Sequence, residues 1–331
     1  MRFFPWLQPS EQETGSRLFT NKEAKKNMVD GRLCEEFSPA YYGICTIGGM
    51  FSSGITRLAI TPLDVLKVNM QVNPIKYNSI YSGFNILLRE EGPSALWRGW
   101  TGILIGYGFQ GACKFGLYEY FKKLYSDVLV DQHRSLVYFI SSASAQAFAD
   151  VALCPFEAVK VRVQTQPNFA KGLGDGFPKF YATEGLSGFY KGLVPLWGRN
   201  LPFSMIMFST FEHSVDLVYH KIIHRRKENC SRAQQLGVTC VAGYTAGAVG
   251  TLISNPADNI VASLYNKKAD NVMQAVKNIG FVNLFTRSLP IRIAIVGPVI
   301  TLQWLLYDTI KVLTGLPTSG GGLNSPREEV H

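Results

Sequence analysis

An all-α membrane protein, with six transmembrane helices in a threefold pseudosymmetric bundle, is the fold that three observations on this sequence predict. Apolar residues fill 47% of its 331 positions and charged residues only 17%, which is less charge than an ordinary soluble chain carries. Residues 37–56 and 233–257 hold no charge at all, and each run can cross a hydrocarbon core of ~30 Å as a helix. The third observation is internal repetition. Pro62-Leu-Asp64-Val-Leu-Lys67 returns 93 residues later as Pro155-Phe-Glu157-Ala-Val-Lys160, and 101 residues after that as Pro256-Ala-Asp258-Asn-Ile-Val261.

Each unit reads as an apolar helix ending in Pro-x-acid, a short amphipathic stretch, and a second apolar helix that opens near an aromatic-basic-Gly turn. In the first two units, Gln71 and Gln164 lie nine residues beyond the proline; Tyr265 takes that place in the third. Glu91-Gly92 through Trp97-Arg98-Gly99 matches Glu184-Gly185 through Tyr190-Lys191-Gly192, and the third copy is reduced to Phe285-Thr286-Arg287-Ser288. Twenty-one residues after each basic position stands an acid: Glu119, Glu212 and Asp308. The register predicts spans near 41–69, 98–123, 135–163, 192–219, 233–264 and 288–312, with surface helices near 79–91, 174–184 and 270–279. A hydropathy window alone would miss several of these, because Lys114, Asp150, Arg199 and Arg292 interrupt the apolar runs. The organisation expected is a polar N-terminal segment (1–39), repeats at 40–130, 131–228 and 229–315, and a polar tail at 316–331.

The net charge of +9 suits an anionic partner. Charge does not choose among a lipid headgroup, a nucleic acid and a small anion, but six spans point to the membrane and away from nucleic acid. Six cysteines without a CxxC pair give neither a disulfide framework nor zinc spacing. No His-carboxylate-nucleophile set or phosphate-cradling Gly loop emerges, so neither an enzyme, a metal site nor a cofactor is expected. The N-terminal forty residues carry five glutamates and no long apolar core, which fits neither a secretory signal nor an acid-poor transit peptide.

A proline inside a membrane helix removes a backbone hydrogen bond and bends the helix, so three prolines at one depth make a converging funnel. Asp64, Glu157 and Asp258, with Lys67 and Lys160, stand at those bends as three acids and two bases. The opposite mouth repeats the pattern with Glu119, Glu212 and Asp308 against Lys122 and Lys311, Val215 standing where a third base would fall. Matched ion-pair rings at both ends suit gates that open in turn. Between them, Lys114, Arg199 and Arg292 give a cationic cluster from three helices near mid-membrane, where an ionisable group is expensive and marks function. Arginine forks and a lysine point charge, with Gln110 and Gln303 as neutral donors, fit a small tetrahedral oxyanion. Ser53, Arg57 and Asp64 share one helical face, as do Gln146, Asp150 and Glu157, and Arg57 is expected to pair with Asp150 at equal depth. The turns at Arg98-Gly99 and Lys191-Gly192, with Gly83 near the first, offer helix amino ends to lipid phosphates.

The tripled Px[DE]xx[KR] with Glu91-Gly92…Trp97-Arg98-Gly99 resembles the signature of mitochondrial carriers over about residues 40–314, and within that family the phosphate carriers. The finer likeness rests on Thr61-Pro-Leu-Asp-Val-Leu-Lys67, on Phe109-Gln110-Gly111-Ala-Cys-Lys114-Phe115-Gly116, and on Val163-Gln-Thr-Gln-Pro167. It extends to Pro195-Leu-Trp-Gly-Arg199-Asn-Leu-Pro202, Asn255-Pro-Ala-Asp258 and Leu302-Gln303-Trp304. It implies inorganic phosphate transport across the mitochondrial inner membrane by alternating access, as proton symport or hydroxide antiport. A dicarboxylate or metal-ion carrier is the alternative, and a non-transporting scaffold a remote one. It further implies matrix-side bridges Asp64–Lys160 and Asp258–Lys67, with Glu157 left without its lysine, and cardiolipin or another anionic lipid at the helix-start turns. Two positions depart from the pattern: Arg57 stands where phosphate carriers usually have histidine, and Gln146 where they have glutamate. Neither exchanges a proton near neutral pH, which leaves Asp150, Glu157, the proton of phosphate itself, or counter-moving hydroxide.

Overall fold

The computed structural model describes residues 37–72, 75–77, 80–129, 133–166, 169–170, 172–224, 227–265, 272–286 and 289–320; at 67, 68, 71, 72, 80, 165, 228, 261–265, 272 and 291 the description covers the backbone alone. All regular structure among these residues is helical. The first repeat contributes α1 (Pro39–Ala59), α2 (Thr61–Val72), α3 (Ile80–Glu91) and α4 (Trp100–Val128). The second contributes α5 (Arg134–Thr165), α6 (Leu173–Tyr190) and α7 (Leu193–Val218). The third contributes α8 (Arg232–Tyr265), α9 (Val272–Ile279), α10 (Phe281–Thr286) and α11 (Leu289–Leu313). Three helical stretches, Arg134–Gln164, Arg232–Ile260 and Arg292–Leu313, are long and apolar enough to cross a membrane.

Local chemistry sets the boundaries. Pro39 opens α1 where its missing N–H costs nothing, and the Ser38 hydroxyl accepts from the Tyr41 amide at 3.2 Å. The bend expected at the repeat prolines becomes a break once: α1 ends at Ala59, just before Pro62, whereas Pro155 and Pro256 lie inside continuous helices. The repeated Glu-Gly has a backbone reason, since Gly92 and Gly185 both take left-handed conformations, φ 79° and 66°, which a side chain would strain.

The long helices close a ring. Helix α1 packs on α4, α4 on α5, α5 on α7, α7 on α8, α8 on α11, and α11 back on α1. Small residues permit this. A Cβ on Gly49 or Gly111 would strike the facing backbone carbonyl where α1 crosses α4, and one on Gly247 would sit 3.1 Å from the Gly297 Cα where α8 crosses α11. Such close backbone approach holds helices together where lipid removes the hydrophobic incentive.

Inside the ring lies an aromatic plug in the same threefold register as the motifs. Phe115, Phe208 and Trp304 touch one another with ring centroids 5.2 to 5.8 Å apart. One turn further along, each ring packs on the next repeat: Tyr118 on Phe208 at 4.1 Å, Phe211 on Trp304 at 3.6 Å, and Tyr307 on Phe115 at 4.3 Å. All six are essentially buried. Offset contacts of this kind add about 0.5–1.5 kcal/mol per pair beyond burial.

Candidate functional site

The acids and bases fall at two levels, with a polar cluster between them. At the far side of the aromatic plug, at and just beyond its second layer, the ion pairs run from one repeat to the next. The Lys122 ammonium donates to Glu212 at 2.5 Å, and Tyr118 donates to the same carboxylate at 3.1 Å; Lys311 stands 3.9 Å from Glu119. These four charges are buried. Desolvation at that depth is expensive, so such pairs persist only when geometry and extra hydrogen bonds offset it. The third acid, Asp308, makes no ion pair with a lysine among the described residues, because Val215 stands where the second repeat's lysine would be. It accepts instead from the Thr239 hydroxyl at 2.5 Å and from the Ser319 backbone N–H at 2.8 Å.

At the proline end the pairing is looser. Lys160 lies 3.7 Å from Asp64 and 3.4 Å from Glu157, so one base serves two acids that keep about a fifth of their surface open. Glu157, whose inter-repeat lysine is replaced by Val261, is met instead by Lys160 of its own motif, one turn along the helix. Asp258 pairs with Arg292, whose other guanidinium nitrogen donates to Asn255 at 2.9 Å. The expected Asp258–Lys67 bridge falls outside the described residues, as does the Gln71 side chain. Gln164 is buried and donates to the Arg98 carbonyl at 3.3 Å, tying the second repeat to the turn that opens α4.

Between the two levels, Asp150 is the hub. Its Oδ1 accepts from Gln110 at 2.9 Å, Gln146 at 2.7 Å and Asn200 at 2.9 Å, which joins α4, α5 and α7. Its Oδ2 is buried and has no hydrogen-bond partner among the described residues. Arg199 donates to Asn200 at 3.1 Å. The Lys114 ammonium lies 5.1 Å from the centroid of the plug ring Phe208 and makes no ion pair to a described residue. Gln303 donates to Ser53 at 2.7 Å, linking α11 to α1. The arrangement can offer a cation and amide dipoles to an anion against an aromatic floor, where low polarity strengthens each interaction.

Two expectations need correction. Arg57 and Asp150 do not pair: Arg57 stacks over Tyr107 at 4.8 Å, and three amides already occupy the Asp150 oxygen. Arg292 is drawn toward the proline-end acids rather than standing with Lys114 and Arg199, because Asp258 and Asn255 lie within its reach.

A protein-family model described as mitochondrial carrier protein matches residues 38–129 and 131–221. The chain belongs to the mitochondrial carrier family. It is 73% identical over 294 residues to mitochondrial phosphate carrier protein 1 of Arabidopsis thaliana, covering 88% of this chain and 95% of that one. Arabidopsis mitochondrial phosphate carrier protein 3 is 53% identical over 300 residues, 89% and 80% of the two chains. Solute carrier family 25 member 3 of Bos taurus is 44% identical over 288 residues, 86% and 79%.

In this carrier the turn residues expected to face lipid have protein partners. Arg98 pairs with Glu91, and Lys191 lies 3.2 Å from Glu184, so the repeated acid and base of each turn hold one another. Gly83 is buried against Leu66 and Tyr77. Gly99 and Gly192 open α4 and α7 as expected, Gly99 in a left-handed conformation. Sequence reasoning missed Asn200, although it stands beside Arg199 as a polar residue in an apolar run. It also missed Asn255 and Tyr107, the ring that both Arg57 and Lys160 approach. The tail expected from 316 begins as packed chain: Leu316, Thr318 and Ser319 are buried.

Proposed function

We propose that this protein carries inorganic phosphate across the mitochondrial inner membrane as a multi-pass carrier. Its six long helices, α1 with α2, α4, α5, α7, α8 and α11, form a threefold pseudosymmetric bundle that works by alternating access. The single observation that carries the reading is the polar cluster around Asp150, with Lys114 and Arg199 contributed by two different helices above an aromatic plug. Relatives named as phosphate carriers support phosphate as the cargo. A small oxyanion meeting Lys114 and Arg199 would receive a point charge and a planar fork, with Gln110 and Gln303 turning from their present partners to donate.

The buried pairs Lys122–Glu212 and Lys311–Glu119 fit a closed gate on one side, and the partly open acids at the proline end fit a gate releasing on the matrix side. Phosphate moves with a proton or against hydroxide. With Arg57 and Gln146 in place, Asp150 and Glu157 are the protein groups left to hold that proton, unless phosphate brings its own. Anionic lipid, cardiolipin among them, binds at the helix starts after Gly99 and Gly192.

The test is exchange of labelled phosphate by purified protein in liposomes. Lys114→Ala and Arg199→Ala are expected to abolish uptake while thermal stability is kept. Uptake of malate in place of phosphate moves the cargo to a dicarboxylate; uptake of no solute at all sinks the carrier reading.

A further inference from the structure

The ion pairs beyond the aromatic plug follow a cyclic rule with one gap. The lysine of the first repeat reaches the acid of the second, Lys122 to Glu212, and the lysine of the third reaches the acid of the first, Lys311 to Glu119. The lysine of the second should reach Asp308, but Val215 occupies its place. A fully buried carboxylate without compensation is untenable, so something else has to fill that corner.

The chain itself fills it. After α11, Gly315 takes a left-handed conformation (φ 76°) and Leu316 N–H bonds back to the Lys311 carbonyl at 2.8 Å, a helix stop that reverses the chain. Residues 316–320 then lie over the junction of the second and third repeats, against Val215 of α7, Gln235 of α8 and Asp308 of α11. The Ser319 N–H donates to Asp308, and Lys311 donates to the Ser319 hydroxyl at 3.4 Å. Gly320 lies directly on Val215: a Cβ there would sit 2.8 Å from the valine Cβ, so the close approach needs a glycine at 320. Lys227, between α7 and α8, donates to the carbonyls of Thr318, of Ser319 at 3.4 Å and of Gly320 at 2.7 Å. Burial, with the Lys311 ammonium adding to it, pulls Lys227 down to about 8, which leaves it mostly charged at neutral pH. Lys227 thus brings a cation toward the corner that lacks one, held through the strap and not by a direct bond to Asp308.

We infer that residues 316–320 are a working part of the gate beyond the plug: docked, they complete its third corner in place of the missing lysine, and they must leave for that mouth to open. The inference rests on the alternating-access reading above, since a mouth that never opens needs no movable strap.

The experiment locks the strap. Val215→Cys with Gly320→Cys is reconstituted in liposomes and oxidised with diamide, the bridge being mapped by mass spectrometry against the native cysteines. A disulfide spans Cβ atoms about 3.5–4.5 Å apart, so a small relaxation of the docked contact suffices. Oxidation is expected to cut phosphate exchange about tenfold or more, the loss of an obligatory opened state, and dithiothreitol is expected to restore it. Exchange undiminished in the bridged protein overturns the inference, as does failure of the bridge to form in folded protein. Ser319→Pro avoids a side chain at position 320: it removes the N–H that serves Asp308 and is expected to slow exchange about fivefold by weakening the closed state. Adding Val215→Lys, which brings a lysine to Asp308, should then restore at least half of the rate; no rescue overturns the corner's role. Unmodified protein that exchanges no phosphate defeats the transport reading itself, and the gate with it.

Discussion

The two ends of the bundle use nearly the same letters and reach different states. Each offers three acids and two lysines in threefold register. Beyond the plug the acids sit at or below 8% exposure, Glu212 and Glu119 each met by the lysine of the preceding repeat in the cycle and Asp308 by Thr239 and the segment after α11. At the proline end Asp64 and Glu157 share one lysine and remain 20% and 23% exposed. The difference lies in what packs beside the charges. Tyr118, Phe211 and Tyr307 immediately precede the acids of the buried ring and are themselves buried, whereas of the residues that precede the proline-end acids Leu63 is exposed and Phe156 and Ala257 are only half-buried. Motif composition therefore says that a ring can form, and the neighbouring side chains decide how tightly.

The sharpest way to break this comparison is to remove one lysine from each end. Lys122→Ala strands a Glu212 carboxylate that is 1% exposed and is expected to cost about 3–5 kcal/mol, read as a fall in thermal midpoint in detergent-lipid micelles. Lys160→Ala leaves acids that water already reaches and should cost well under half of that. Equal losses would mean that the two ends are alike in the ground state. Next in size is Trp304→Ala, which opens a hole where three repeats meet and is expected to cost about 3–5 kcal/mol of stability, while making the mouth beyond the plug leaky to an impermeant thiol reagent.

Asp150→Ala separates the middle from both ends. It leaves three amides without their acceptor, the Gln146 one buried and those of Gln110 and Asn200 half-buried, a loss of about 1–3 kcal/mol, and exchange is expected to fall further than stability does. If exchange and thermal midpoint fall in step, the hub is structural only. Arg57→His restores an exchangeable proton beside Tyr107 and is expected to raise the response of uptake to a pH gradient more than it changes affinity; identical responses in the two proteins would remove position 57 from coupling. The smallest effect belongs to Arg98→Gln, whose pair with Glu91 is partly solvated and contributes no more than about 1 kcal/mol.

Much of the ring geometry was legible because repetition makes a sequence its own reference. Counting from Arg98, Lys191 and Arg287 places Glu119, Glu212 and Asp308 at one depth, and the same count places the plug rings Phe115, Phe208 and Trp304 seventeen residues on. Partner choice was less legible. Depth alone matches Arg57 to Asp150, yet a depth count carries no angle between helices: Tyr107 takes the arginine, and Gln110, Gln146 and Asn200 take the carboxylate. Its place in an apolar run puts Arg292 near the middle, but a long side chain reaches a full turn, and it meets Asp258 and Asn255.

By itself the sequence determined the unit, its threefold recurrence, the levels at which charge sits and the absence of a lysine at position 215, since these are matters of spacing and side-chain chemistry along one chain. Only the tertiary structure decided which acid each base meets, which ring is dry, and that residues 316–320 fold back to serve Asp308. Those outcomes depend on distances between helices far apart in the chain, where a shift of a few ångströms exchanges one partner for another and periodicity has no say.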